Sequence, residues 1–316
     1  MIDVKRLIIK NLNISVVLFA LIAIVIFFSI LNPNFFTFKN AIAVGLLLSV
    51  VGVICLGQSL CILVRGFDLA VGQLAALAGI MLALLTKSGV PYPVGIAIVF
   101  VFGLFAGGVA GVLITKLKIN ALITTLALQT IYHGLVYILS NGASIIVSAP
   151  TFSAIGTTRV FDIPLPIIFL AVLYIVFHFI LRRTVFGRSI YCIGGNPEAA
   201  RISGINNDKI ITSVYVLSSL LAVFAGVVLS SRMGAAQITA GGTYAMDSIA
   251  AVVLGGIALS GGRGSIWGSL MGIAIIGAMQ NGLIMIQMPI FYQYVATGAV
   301  LIIAVFVQNI SDIRNK

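Results

Sequence analysis

AIAVGLLLSVVGVICLGQSLCIL, residues 41–63, carries no charged side chain from end to end; its polar members (Ser49, Cys55, Gln58, Ser59 and Cys61) are all neutral. A helix of this length, rising 1.5 Å per residue, crosses the ~30 Å hydrocarbon core of a bilayer. Runs of the same kind recur along the chain. Of its 316 residues, 61% are hydrophobic and 8% charged, against about 25% charged in an ordinary soluble domain. The mean hydropathy is +1.22. A soluble fold could not cover that much apolar surface. The sequence therefore predicts an all-α, polytopic protein that lives in a lipid bilayer as one membrane domain over 1–316.

Reading the apolar runs outward from 41–63 gives about ten spans, at 14–31, 41–63, 68–86, 94–114, 119–140, 164–181, 210–230, 247–260, 265–287 and 290–310. Pro33, Pro91, Pro93, Pro164, Pro166 and Pro289 sit at or near the junctions, where a missing backbone donor is tolerated. Charge sets the orientation. With a cytoplasmic N-terminus the inner segments hold Lys5, Arg6, Lys10, Arg65, Lys116, Lys118, Arg182, Arg183, Arg188, Arg201, Lys209, Arg263, Arg314 and Lys316. The outer segments hold only Lys39, Lys87, Arg159 and Arg232. Basic residues accumulate on cytoplasmic loops, so both termini are expected inside, and the segment 182–209 is a cytoplasmic loop.

The same rule accounts for the net charge of +11 without nucleic acid. The N-terminal run has no small-residue cleavage site after it and reads as a retained first span. Cys55, Cys61 and Cys192 form no metal or disulfide pattern, and His133 and His178 stand alone. No metal site, and no cofactor bound by this chain, is expected.

Within the cytoplasmic loop, NPEAARISG at 196–204 spells a short helix. Asn196 is a good N-cap and Pro197 fits the first helical position. Glu198 complements the positive dipole end, and Gly204 can end the helix in a left-handed conformation. Isolated helices below ~12–15 residues are marginal in water, so this one must lean either on its own bundle or on a cytoplasmic partner. The small residues Ala199 and Ala200 permit close approach. These residues by themselves leave both surfaces open.

GFDLAVGQ (66–73), GRSIYCIGGNPEAARISGI (187–205) and AAQITAGGTYAMDSIAAVVLGGIALSGGRGSIWGSLMGIAIIGAMQNGL (235–283) resemble the permease subunits of ribose/xylose/galactoside-type ABC sugar importers. The resemblance extends over nearly the whole chain, and the third block is its most specific part. It implies a bacterial inner-membrane, multi-pass permease working with ABC ATPase subunits, an extracytoplasmic sugar-binding protein and a second permease copy, as a homodimer. It also implies that Gly194, Asn196, Glu198, Ala199, Ala200 and Gly204 form a coupling helix against the ATPase. ATP and its magnesium would then belong to that partner, and the cluster GGIALSGGRGS (255–265) indeed lacks the Gly-Lys-Ser/Thr ending of a phosphate loop. The sequence departs from the family pattern in places: Arg65 stands where a small residue is more usual, Phe67 replaces an Ile and Ala70 a Ser, and YAMD at 244–247 lacks the Glu of "YELD".

Two polar breaks, VRGFDLAVGQ (64–73) and GGRGSIWGS (261–269), join spans by very few residues. Paired glycine-broken segments point to transport paths. Arg65, Gly66, Asp68, Gln73, Asp247 and Arg263 are candidates for the path or its gate, with Gln58, Gln280 and Asn281 offering hydrogen bonds to a neutral, hydroxyl-rich solute. Interfacial snorkelling and interhelical hydrogen bonding are the structural alternatives. The stripes Gly103/Gly107/Gly111 and Gly264/Gly268/Gly272 read as close helix packing. An ion-coupled secondary transporter is the competing function; it needs a buried titratable group, and only Asp68 and Asp247 approach the spans. An intramembrane enzyme would need a catalytic constellation that this sequence lacks.

Overall fold

The computed structural model describes residues 4–289, 291–299 and 302, with side chains from residue 17 onward. It is predominantly helical. In chain order come α1 (Val4–Leu31), α2 (Phe38–Leu63), α3 (Val71–Lys87), α4 (Tyr92–Thr115), α5 (Ala121–Ser140), β1 (Ile145–Ile146), α6 (Pro150–Thr157), β2 (Arg159–Val160) and β3 (Ile163–Pro164). Then follow α7 (Leu165–Arg183), α8 (Val185–Gly195), α9 (Pro197–Ile202), α10 (Asn207–Met233), β4 (Ala235–Ala236), α11 (Tyr244–Leu254) and α12 (Ile266–Met285). Residues 291–299 are also helical.

Six helices are long and apolar enough to cross a membrane: α2, α4, α5, α7, α10 and α12. The polytopic reading therefore holds, while a count of ten is not reached among the described residues. The first expected span falls on α1, whose apolar stretch is Val17–Leu31, and the third on α3, both shorter than the six. Of the tenth, 290–310, residues 291–299 and 302 are described; the rest lies outside the described residues, as do Arg314 and Lys316.

Helix ends follow local chemistry. Thr37, Asn120, Thr184, Asn206 and Ser265 accept backbone N–H groups as N-caps of α2, α5, α8, α10 and α12. Proline occupies the first turns of α4, α6, α7 and α9, where its missing donor costs nothing.

The centre is built on α2 and α10. Ser49 through Leu63 are all buried, and α10 packs against α2, α3, α4 and α6. The stripe Gly103/Gly107/Gly111 is a packing seam, as are Gly268 and Gly272 of the second, whereas Gly264 precedes α12 at φ +129° and lies against Ile257 rather than on the helix face. A Cβ on Gly103, Gly107 or Gly111 would run into Val223, Val216 or Thr212 of α10, and one on Gly268 or Gly272 into Gly255 or Ala251 at α11. Near the far end of α10, β1 pairs antiparallel with β4; β2 pairs antiparallel with β3.

The expected crossing at 247–260 is divided. Gly226 of α10 lies against Ala75, and Gly241 lies against Gly72, one turn earlier in α3. Since α10 runs on to Met233, the segment 234–243 must return about 15 Å along the bundle at 1.5 Å per residue. α11 then covers 11 residues, about 16 Å, roughly half of a hydrocarbon core. Irregular backbone at such depth is tolerated where protein buries it. Here glycine does so: Gly72 and Gly241 meet backbone to backbone, with no room for a side chain on either.

Candidate functional site

The short polar helix forms as α9. Asn196 caps it, its Oδ1 accepting from the backbone N–H of Glu198 at 3.0 Å and of Ala199 at 3.1 Å. Gly204 adopts φ +82° and closes the end, while Ile205 N–H donates to Ala200 O at 3.0 Å. Ala200 is buried against the bundle, whereas Glu198, Ala199, Arg201 and Gly204 are exposed. So one side of α9 leans on its own protein and the other is open. Ile202, 77% exposed, gives that open side an apolar tip. Arg201 pairs with Glu198 through two hydrogen bonds, 3.1 and 2.6 Å, which hold the Glu198 carboxyl below the usual range. Beside α9 an open cleft is lined by Lys118, Pro197, Arg201, Gly204, Asn207 and Asp208 among others. Lys116 and Lys118 both pair with Asp208 there.

α9 does not follow α7 directly. α8 intervenes, and it was not expected from the sequence; Thr184, which caps it by accepting from Gly187 N–H at 3.1 Å, was its one local signal. At its C-terminal end α8 meets both glycine-broken connections. Arg65, at φ +65°, donates from Nε to Gly194 O at 2.7 Å and from Nη2 to Gly195 O at 2.6 Å. Tyr191 donates its hydroxyl proton to Gly264 O at 3.1 Å. Gly262 N–H donates to Leu63 O at 2.9 Å, closing a triangle. A Cβ on Gly194 would overlap Leu63 O and Gly262. The 64–70 and 255–265 connections thus converge on the root of α9, although they lie far apart in sequence.

Asp68 is 3% exposed. Its carboxylate accepts from Ala70 N–H at 3.1 Å and from the Ser218 hydroxyl at 2.8 Å. Tyr215 donates to Phe67 O at 3.1 Å, and its hydroxyl fills the place a side chain on Gly66 would need. The 64–70 connection is therefore pinned to α10 on one side and to α8 on the other. Arg263 is exposed in the other connection.

The remaining candidates scatter along the core. Gln58 is fully buried and neither of its amide atoms has a partner among the described residues; Gln73 Oε1 is likewise unpartnered. Tyr92 Oη and Asn207 Oδ1 are unpartnered in the same way, although buried polar atoms are paired in the great majority of cases. Asp247 is buried in the first turn of α11, where a carboxylate suits the positive helix end. Gln280 is half-buried on α12. Asn281 instead bridges helices, its Oδ1 accepting from Asn40 Nδ2 at 3.0 Å. Tyr191, Tyr215 and Ser218 were not foreseen. Each shows its role only through a partner in another element. Among the described residues no cluster of His, Cys, Asp and Glu could hold a metal.

Comparison with known proteins gives consistent matches. Residues 40–305 match the family described as branched-chain amino acid transport system / permease component. The ribose import permease protein of Haemophilus influenzae is 37% identical over 294 residues, covering 92% of this chain and 91% of that protein. The ribose import permease protein of Bacillus subtilis is 40% identical over 291 residues, covering 92% and 90%. The L-arabinose ABC transporter permease protein of Azospirillum brasilense is 38% identical over 283 residues, covering 88% and 82%. No solved structure matches the chain.

Proposed function

The chain belongs to the family of branched-chain amino acid transport system permease components, and from that premise we propose that it is the membrane subunit of an ATP-driven importer for a monosaccharide or related small polyhydroxylated solute. Within this broad family its relatives at 37–40% identity are named as ribose and arabinose permeases, which favours a sugar over an amino acid. Neutral amide and hydroxyl groups along the core suit such a solute.

The single observation that carries the mechanism is the build of α9. A six-residue helix capped at both ends, with one buried and one open face, is a finished surface for a partner. The partner we assign is an ABC ATPase, which supplies ATP and magnesium. Gly194, Asn196, Glu198, Ala199, Ala200 and Gly204 shape the contact. Solute arrives on an extracytoplasmic binding protein, and two permease copies form the path. ATP-driven closure of the ATPases moves α9, and the connections at 64–70 and 255–265 pass that movement to the gate. Gln58, Gly66, Asp68, Gln73, Asp247, Arg263 and Gln280 are the groups we place along the path or gate. Ten crossings with both termini cytoplasmic, in a bacterial inner membrane, complete the arrangement.

Reconstitution with a cognate ATPase and external binding protein tests the reading. Labelled ribose or L-arabinose should accumulate in vesicles only when ATP is present. Accumulation of a branched-chain amino acid and of no sugar would refute the solute class.

A further inference from the structure

We propose that Arg65 is a positioning residue that ties the ATPase-facing helix α9 to the two glycine-broken connections, so that movement of α9 becomes movement of the gate. The inference deepens the proposed function and rests on α9 being the ATPase contact.

The last carbonyls of any helix lack intrahelical partners and carry the negative end of its dipole. On α8 two of these, Gly194 O and Gly195 O, receive the fork of a single guanidinium at 2.7 and 2.6 Å. Charge-assisted bonds of this kind are roughly twice as strong as neutral ones. Asn196 follows at once as the cap of α9, so Arg65 grips the residues from which α9 departs.

Around that grip the contacts are backbone on backbone. Gly194 packs on Leu63 O and Gly262, and Gly262 donates to Leu63. Backbone atoms in direct contact leave these segments little room to absorb a shift, and close-packed interiors transmit displacement. The far side of the 64–70 connection is held by Tyr215 and Ser218 of α10. Displacing α8 therefore pulls this connection against α10. Arg65 itself sits in the left-handed region at φ +65°, a conformation that costs a non-glycine residue energy and that its two bonds help to hold.

A residue that merely capped α8 would change how much transporter assembles; one that couples changes what each ATP accomplishes. The full transporter in proteoliposomes, with ATPase and external binding protein, gives both quantities as labelled ribose or L-arabinose taken up and phosphate released. Arg65→Ala should retain ATPase co-purification and hydrolysis while solute moved per ATP falls about tenfold, the scale of losing a charge-assisted bond. Arg65→Lys keeps the charge but cannot reach both carbonyls with a fork, and its ratio should fall in between. Uptake and hydrolysis falling in proportion, or an unchanged ratio, would overturn the coupling role. If Arg65→Ala fails to reach the membrane, a wild-type ratio in Arg65→Lys would overturn it too. Wild-type protein without ATP-dependent uptake would sink the importer reading itself, and this inference with it; transport by the wild type at a ratio that Arg65→Ala preserves sinks only the inference.

Discussion

Gly204 and Gln58 each put the proposed function to a test at a single residue. Gly204 holds φ +82° with open space where a Cβ would stand, so only backbone strain opposes a side chain there. Forcing an ordinary residue into that region costs roughly 1–2 kcal/mol, while Asn tolerates it better. Gly204→Val should reduce ATPase co-purification with the permease still inserted, and Gly204→Asn should lie near wild type. Equal co-purification of all three proteins would argue against α9 as the contact. Gln58 presents the reverse case, a buried amide without a partner among the described residues. An unpaired buried polar group costs about 1–3 kcal/mol. Gln58→Met, of similar shape, should raise the melting temperature in detergent while lowering sugar uptake. A stability loss with unchanged uptake would assign Gln58 to structure alone. The roles of Asn196 and Gly204 were legible in the sequence because capping is a matter of neighbours along the chain. That of Arg65 was not: its acceptors lie 129 and 130 residues away, and from sequence it was a path candidate like Asp68.

Among the elements, α4 offers an internal control. A Cβ on Gly107 would meet Val216 Cα of α10 at 2.5 Å, whereas one on Gly108 meets nothing within 4 Å. Overpacking a tight contact costs about 1–3 kcal/mol. Gly107→Ala should therefore lower membrane abundance and detergent melting temperature, and Gly108→Ala should leave both unchanged; similar effects from the two would contradict the α4–α10 seam. That seam was readable because a spacing of four residues places glycines on one helix face. The return of 234–243 along the bundle, and the half-length helix α11 at the expected 247–260 crossing, were not. An apolar run has the same composition whether it crosses the membrane whole or starts halfway, and only the meeting of Gly72 with Gly241 separates the two. α8 escaped for a related reason. It lies in a stretch polar enough to read as loop, packed between α7 and α9.

For the whole molecule, the orientation rests on counting basic residues, and the structure offers a chemical handle on it. Cys55 and Cys61 are buried, while Cys192 on α8 is exposed. With the ATPase absent, a membrane-impermeant maleimide should label Cys192 in inside-out vesicles and leave right-side-out vesicles unlabelled. The opposite pattern would place α8 and α9 outside and remove them from any cytosolic partner. The central claim is narrower still: that this chain moves sugar only through an ATPase it does not contain. Uptake of labelled ribose and L-arabinose should be followed in vesicles with and without the ATPase subunit, and with and without a protonophore. The account predicts uptake that disappears with the ATPase and survives loss of the proton gradient. Uptake that persists without the ATPase and collapses with the gradient would contradict it.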